Sequence, residues 1–161
     1  MKTQLYWIPG PWPGRLAIVE RPRGGDWLED EVKGWHTGNL DVIVSLLETE
    51  ESEQLGLRHE GEAARAEGIR FVSYPIPDRG TPSSRQKAQA LIDDLEAALI
   101  AGQNVAVHCR QSVGRSGLIA AAILMNSSID TETAIQTVSA ARGLTIPETG
   151  EQRKWLWKLS H

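Results

Sequence analysis

The chain has one cysteine, Cys109, within the stretch HCRQSVGRSG that runs from His108 to Gly117. Those residue types at that spacing suit one kind of chemistry. A thiolate is a strong nucleophile, and an arginine is a planar fork that grips two phosphate oxygens at once. A loop between a strand and a helix points backbone N–H groups at a bound anion, and the start of the helix adds a partial positive charge. That charge and Arg115 both favour the thiolate form of Cys109 over the free thiol, whose pKa is about 8.5. Arg110, Gln111, Ser112, Val113 and Gly114 line the cradle. One loop thus supplies a nucleophile and a seat for a tetrahedral dianion. The competing reading is a buried structural cysteine beside a surface arginine. It leaves the coincidence of His, Gly, Arg and Ser at these offsets unexplained.

The loop needs a strand before it and a helix after it. Residues 104–108 (NVAVH) read as a short strand, and residues 116–126 as a nearly all-apolar and therefore buried helix. The run DVIVSLL at 41–47 is compact and rich in β-branched residues, as in a buried parallel strand. Further strands are expected at 4–8, 16–19 and 69–75. Asp26 is the expected N-cap of a helix reaching Trp35, and Thr49 that of a short acidic helix. A helix over 60–67 stops at Gly68. The longest helix covers 84–101, with Ala88, Leu91, Ile92, Leu95, Ala98 and Leu99 on one face and Gly102 at its end. Helices over 131–142 and 150–159 close the chain. Alternating strands and helices predict an α/β fold with a mostly parallel central sheet flanked by helices. Cys109 then lies at the carboxyl end of a strand, where such folds place their sites.

Composition narrows the function. The chain has 161 residues, 40% hydrophobic and 24% charged, with a net charge of −4. That fits one catalytic domain over residues 1–161. No basic stripe points to nucleic acid. No apolar run is long enough to cross a membrane, and the N-terminus lacks the apolar core of a signal peptide. One cysteine forms no internal disulfide, so the cytoplasm is the expected compartment. Scattered histidines suggest no zinc site. Most of the six tryptophans read as core or half-buried residues, and none as a binding platform.

The segment 108–116 matches HC(X)5R(S/T), and the chain resembles the cysteine-dependent protein tyrosine phosphatase superfamily, most closely its small dual-specificity branch with atypical and kinase-associated phosphatase-like members. The resemblance implies the fold of that branch and a metal-independent, cofactor-free hydrolase of phosphotyrosine, with phosphoserine and phosphothreonine as further substrates and a phosphorylated protein as partner. It implies that Cys109 forms a cysteinyl-phosphate and that Arg115 holds the equatorial oxygens. Ser116 would hydrogen-bond the departing thiolate, and His108 would orient the loop from behind. In that family an aspartate in a mobile loop protonates the leaving group. Asp78, in the loop PIPDRGTP with Gly80 as a candidate hinge, stands at the corresponding position; Asp93 and Asp94 belong to a helix. Gln152, in IPETGEQRKW, resembles the glutamine that positions the hydrolytic water, although Glu148 stands where a second glutamine is expected.

Other readings remain open at this level. Arg79 and Arg85 either meet substrate charge or are solvated. Arg110 points to the mouth of the site, where it would favour acidic flanks. Arg142 either reaches the site or caps its own helix. The same chemistry could serve a lipid, sugar or RNA-end phosphate, although the loop carries no lysine and the chain is not basic. A silent phosphoprotein-binding module is the other alternative. Ser112 occupies a loop position where glycine is common, which bears on substrate range. A reactive Cys109 is open to peroxide, and the chain holds no second cysteine to resolve a sulfenic acid.

Overall fold

The computed structural model describes residues 4–159. Five strands form one sheet in the order β1-β2-β5-β3-β4: β1 (Leu5–Ile8), β2 (Leu16–Val19), β3 (Val42–Ser45), β4 (Arg70–Ser73) and β5 (Val105–His108). Only β1 is antiparallel, joined to β2 through the turn-rich PGPWPG link. The remaining pairs are parallel, with β5 central between β2 and β3. The α/β class and the mostly parallel sheet expected from the sequence are therefore observed.

Alternation along the central strands divides the interior in two. Val105 and Val107 of β5, with Leu16, Ile18, Val42 and Val44, face one side. There they meet α4 (Arg85–Ile100), α5 (Gly114–Asn126), α6 (Thr131–Arg142) and α7 (Gly150–Leu159). Ala106, Ala17, Val19 and Ile43 face the other side, against α1 (Leu28–Thr37) and α3 (Glu60–Ala66). The short α2 (Thr49–Gln54) follows β3. Helix α5 is buried along its length from Gly114 to Leu124, as its apolar sequence requires.

Several boundaries differ from expectation for local reasons. Asp26 is not an N-cap. It lies in a 3-10 turn, Gly25–Trp27, in which Gly25 has a φ of +60° and its N–H bonds the carbonyl of Gly56; α1 begins only at Leu28. Trp27 is consequently exposed while Trp35 is fully buried. Thr49 does not cap α2. Glu48 does, in a capping box with Glu51. Helix α5 starts at Gly114 rather than Ser116, which brings Arg115 and Ser116 into its first turn. Helix α4 starts at Arg85 rather than Ser84, which is its N-cap and accepts the N–H of Lys87, while Gly102, with φ +90°, follows its end as the sequence pattern expects.

Gly117 shows how closely α5 is packed. A Cβ built there would lie 2.2 Å from Cγ2 of Ile146, a buried residue of the segment before α7. Gly117→Ala is expected to destabilise the fold by about 1–3 kcal/mol through overpacking, read as a lowered melting temperature. A melting temperature equal to wild type would show that Ile146 yields without cost.

Candidate functional site

Strand β5 ends at His108, and the chain enters α5 at Gly114. The site is built on that turn. Cys109 is buried in the larger core cluster, on the α5 side. His108 turns the opposite way. Its Nε2 lies 2.5 Å from Oε2 of Glu60, the first residue of α3, and both side chains are buried. The structure thus places His108 on the α3 side of the sheet, opposite Cys109. Glu60 as its partner has no local signal in the sequence.

No side chain caps the start of α5. Its first-turn N–H groups are therefore of the kind that a helix leaves without an internal partner. The cradle residues take different environments: Gln111 is exposed, Val113 half-buried, Ser112 and Gly114 buried. Ser112 has a φ of +55°, so it adopts the left-handed backbone that glycine would take more easily. Its hydroxyl donates to the carbonyl of Val19 at 2.9 Å. That bond directs the side chain toward the end of β2. Among the described residues, the buried Ser116 hydroxyl has no hydrogen-bond partner.

Arg115 is the electrostatic centre. Its side chain is 2% exposed. Nη1 donates to Oε1 of Glu51 at 2.6 Å and Nη2 to Oε2 at 2.9 Å. Nη1 also donates to the carbonyls of Ile76 (2.9 Å) and Leu46 (3.4 Å), and Nη2 to Oδ1 of Asp78 (3.2 Å). None of these bonds uses Nε. Burial opposes the charge on Arg115, but the Glu51 bond and the negative charges of Cys109, Glu51 and Asp78 outweigh it and hold the guanidinium above its ordinary pKa. Burial likewise works against ionised Glu51. Hydrogen bonds from Arg115 and the Glu48 N–H, with the charges of Arg115 and Arg110, prevail and lower its pKa.

Sequence reasoning missed Glu51. It lies in an acidic run, ETEES, that resembles a solvated helix. Only the spacing of Glu48 and Glu51 hinted at a capping box, and that box aims the side chain: Oε1 accepts the Glu48 N–H at 3.0 Å as well as Arg115.

Asp78 is exposed and reaches the site through Arg115. Its loop is pinned on both sides. The Gly80 N–H bonds the Pro77 carbonyl at 2.8 Å, and Arg79, with φ +62°, pairs with Glu148 at 3.5 Å. Gly80 is constrained by contact, since a Cβ there would stand 2.9 Å from the Pro77 carbonyl. Gln152 is fully buried, not a surface helix residue. Its Nε2 donates to the Gly80 carbonyl at 3.0 Å, and its Oε1 accepts the N–H groups of Glu148 and Thr149. It also packs against Gly114, where a Cβ would fall 3.0 Å from Oε1. The departure at Glu148 thus has a partner in Arg79. Arg110 is half-buried at the rim, 3.9 Å from Glu51. Arg85 is exposed. Asp93 and Asp94 belong to surface networks with Gln89, Asn126 and Arg70, away from the loop. Arg142 reaches the loop, donating through Nε to the Ser112 carbonyl at 3.0 Å.

A family model described as polymorphic toxin system, DSP-PTPase phosphatase, matches residues 18–128. The rat (Rattus norvegicus) cyclin-dependent kinase inhibitor 3 is 32% identical over 91 residues, which cover 55% of this chain and 42% of that protein. The matches span from 24% to 53% of the length of the curated relatives. Kinase associated phosphatase, solved with serine in place of its catalytic-site cysteine, superposes with a TM-score of 0.89 at 19% identity, over 99% of this chain and 97% of that one. Tk-PTP in its active form superposes with a TM-score of 0.78 at 28% identity, over 91% and 92%. The chain belongs to the DSP-PTPase phosphatase family.

The Glu51–Arg115 pair carries a pH signature. The folded pKa of Glu51 lies below its ordinary value of 4.5. Its stabilisation is therefore complete above pH 4.5 and is lost as pH falls through the depressed folded value. Glu51→Ala, which leaves a buried guanidinium without its carboxylate, is expected to cost about 3–5 kcal/mol. Glu51→Gln is expected to flatten the acid-side fall in melting temperature. An acid-side slope equal to wild type in Glu51→Gln would remove this pair as its cause.

Proposed function

We propose that this member of the DSP-PTPase phosphatase family hydrolyses phosphomonoesters through a cysteinyl-phosphate on Cys109, with phosphotyrosine in protein as its main substrate and phosphoserine and phosphothreonine as further ones. The observation that carries the reading is the state of Arg115. Glu51 and the Ile76 carbonyl fix one edge of a buried guanidinium, while its Nε has no hydrogen-bond partner among the described residues. A dianion on the cradle meets the other edge, formed by Nε and Nη2, together with the N–H groups at the start of α5.

In the first step the Cys109 thiolate attacks phosphorus, forming the S–P bond as the P–O bond to the leaving group breaks. Asp78, which takes up a proton once phosphate displaces it from Arg115, gives that proton to the departing oxygen. Asp78 and the phosphate compete for Nη2 of Arg115, so binding of the dianion frees the carboxyl group to turn to the leaving group. Arg115 and the helix start stabilise charge on the equatorial oxygens. The Ser116 hydroxyl, buried and unpartnered among the described residues, is available to the sulfur as it leaves. In the second step water attacks phosphorus, Asp78 takes its proton, and the S–P bond breaks to return the thiolate. Gln152 spends Oε1 and one Nε2 proton on the backbone. Its second Nε2 proton is the group that holds this water. His108, paired with Glu60, supports the loop from the far side of the sheet. The chemistry requires no metal or cofactor.

A protein substrate is favoured over a polyanionic lipid headgroup because the loop positions 110–114 carry no lysine and one arginine, which is already shared with Glu51. A cytoplasmic setting suits a working thiolate.

Hydrolysis of p-nitrophenyl phosphate and a phosphotyrosine peptide in EDTA tests the reading. Wild type is expected to turn over both, and Cys109→Ser neither. Asp78→Asn is expected to slow the peptide by about 10²- to 10⁴-fold and p-nitrophenyl phosphate by less, since p-nitrophenolate needs little protonation. An inert wild type, or activity surviving in Cys109→Ser, would sink the proposal. Gln152 is tested separately by rapid quench. Gln152→Ala is expected to give a burst of p-nitrophenol followed by slow turnover, as the phosphoenzyme accumulates. A uniform slowing with no burst would deny it the water-holding role.

A further inference from the structure

A loop that turns its N–H groups toward an anion turns carbonyls away from it, and those outward carbonyls need partners of their own. Two arginines from outside the loop supply them. Arg21, just past β2, donates through Nε to the Arg110 carbonyl at 3.0 Å. Arg142, the last residue of α6, donates through Nε to the Ser112 carbonyl at 3.0 Å. Ser112 adds the reverse bond, from its hydroxyl to the carbonyl of Val19, the last residue of β2. The loop is therefore tied outward at both of these residues.

The ties fall where they are needed. Ser112 holds a left-handed backbone at φ +55°, which costs a residue with a Cβ of order 1 kcal/mol. Nothing local in HCRQSVGRSG favours that conformation, so surrounding contacts must impose it. Arg142 is itself held: its guanidinium lies over the Tyr6 ring, 4.1 Å from the centroid, and the Tyr6 hydroxyl donates to Glu20 at 3.2 Å. The contiguous residues Val19, Glu20 and Arg21 each take part in this outer frame.

We propose that Arg142 and Arg21 are positioning residues that hold the phosphate loop in its anion-binding conformation before the phosphate arrives, with Arg142 the stronger of the two. Their guanidinium Nε–H groups act on carbonyls and not on the substrate. The consequence for catalysis rests on the phosphatase reading; the consequence for the loop does not. Loss of a brace makes the free loop sample conformations with misdirected N–H groups, and binding must then pay to restore it.

The experiment uses Arg142→Met, Arg142→Lys, Arg21→Gln and Tyr6→Ala in the full chain, each also in a Cys109→Ser background. Inorganic phosphate affinity is measured by calorimetry, and hydrogen exchange is followed across residues 110–116. Arg142→Met is expected to weaken phosphate binding by about tenfold or more and to speed exchange in that segment, with the β5 amides unchanged. Tyr6→Ala is expected to give the same effect in smaller measure, as is Arg21→Gln. Arg142→Lys keeps the charge but not the planar Nε–H, and is expected to rescue only in part.

Unchanged exchange and phosphate affinity in both Arg142→Met and Arg21→Gln would overturn the proposal. So would full recovery of affinity in Arg142→Lys with exchange still fast, which would make Arg142 a source of charge alone. If wild type binds phosphate without turning over any ester, the phosphatase reading fails while affinity and exchange still decide the brace. If wild type binds no phosphate, exchange alone decides it. Should Arg142→Met fail to fold, Tyr6→Ala and Arg21→Gln decide it.

Discussion

The site depends on keeping one guanidinium buried. Arg115 is almost inaccessible, and a buried charge without its counter-charge is among the costliest features a fold can carry. Glu51 removes that cost with two charge-assisted bonds in parallel, and the carbonyls of Ile76 and Leu46 accept from the remaining N–H of Nη1. The arrangement explains an otherwise unpromising element. Helix α2 has six residues, too few to be stable alone. Its capping box orients Glu51, and Arg115 in turn anchors the helix to the loop. Local structure and site chemistry hold each other in place through a single carboxylate.

The sheet gives that arrangement its geometry. Because side chains alternate along β5, His108 and Cys109 leave the strand end on opposite sides. Cys109 enters the side filled by α5 and its neighbours, where the start of a long helix faces it. His108 enters the side filled by α1 and α3, close to Trp35 and bonded to Glu60. Each half of the interior therefore contributes one polar fixture to a loop that spans only five residues between its cysteine and its arginine.

The fold was legible because its signals are local. The apolar run of α5, the β-branched run of β3 and the glycine stop after α4 can each be read from a few neighbouring residues. HCRQSVGRSG is local too, so Cys109, Arg115 and Ser116 could be named as candidates before any geometry was known. What escaped was what long-range contact alone decides. Glu51 and Glu60 look like Glu50 and Glu62, and only packing buries the first pair and leaves the second at the surface. Asp26 and Thr49 have the chemistry of N-caps, but a glycine-led 3-10 turn and a neighbouring glutamate took those positions. Arg142 looked like a helix-end cation, and nothing near it in sequence marks the Ser112 carbonyl as its acceptor.

The Asp78 loop shows the same dependence on distant contacts, which bears on how it moves. Its residues are held one after another: the Ile76 carbonyl by Arg115, Asp78 by the same guanidinium, Arg79 by Glu148 and the Gly80 carbonyl by Gln152. The Arg79–Glu148 pair is exposed and therefore weak, but the Gln152 and Ile76 bonds are sheltered. Such a loop is already seated. A large backbone swing about Gly80 would break the Gln152 bond and disturb the turn closed by Pro77. Among the described residues, rotation of the Asp78 side chain breaks its bond to Arg115 and leaves the backbone bonds intact; on the proposed mechanism an arriving phosphate replaces that bond. On the proposed mechanism, the lowest-cost route from the resting site to the reacting one is therefore replacement of Asp78 by phosphate on Arg115, with the backbone of both loops left where the fold has placed it.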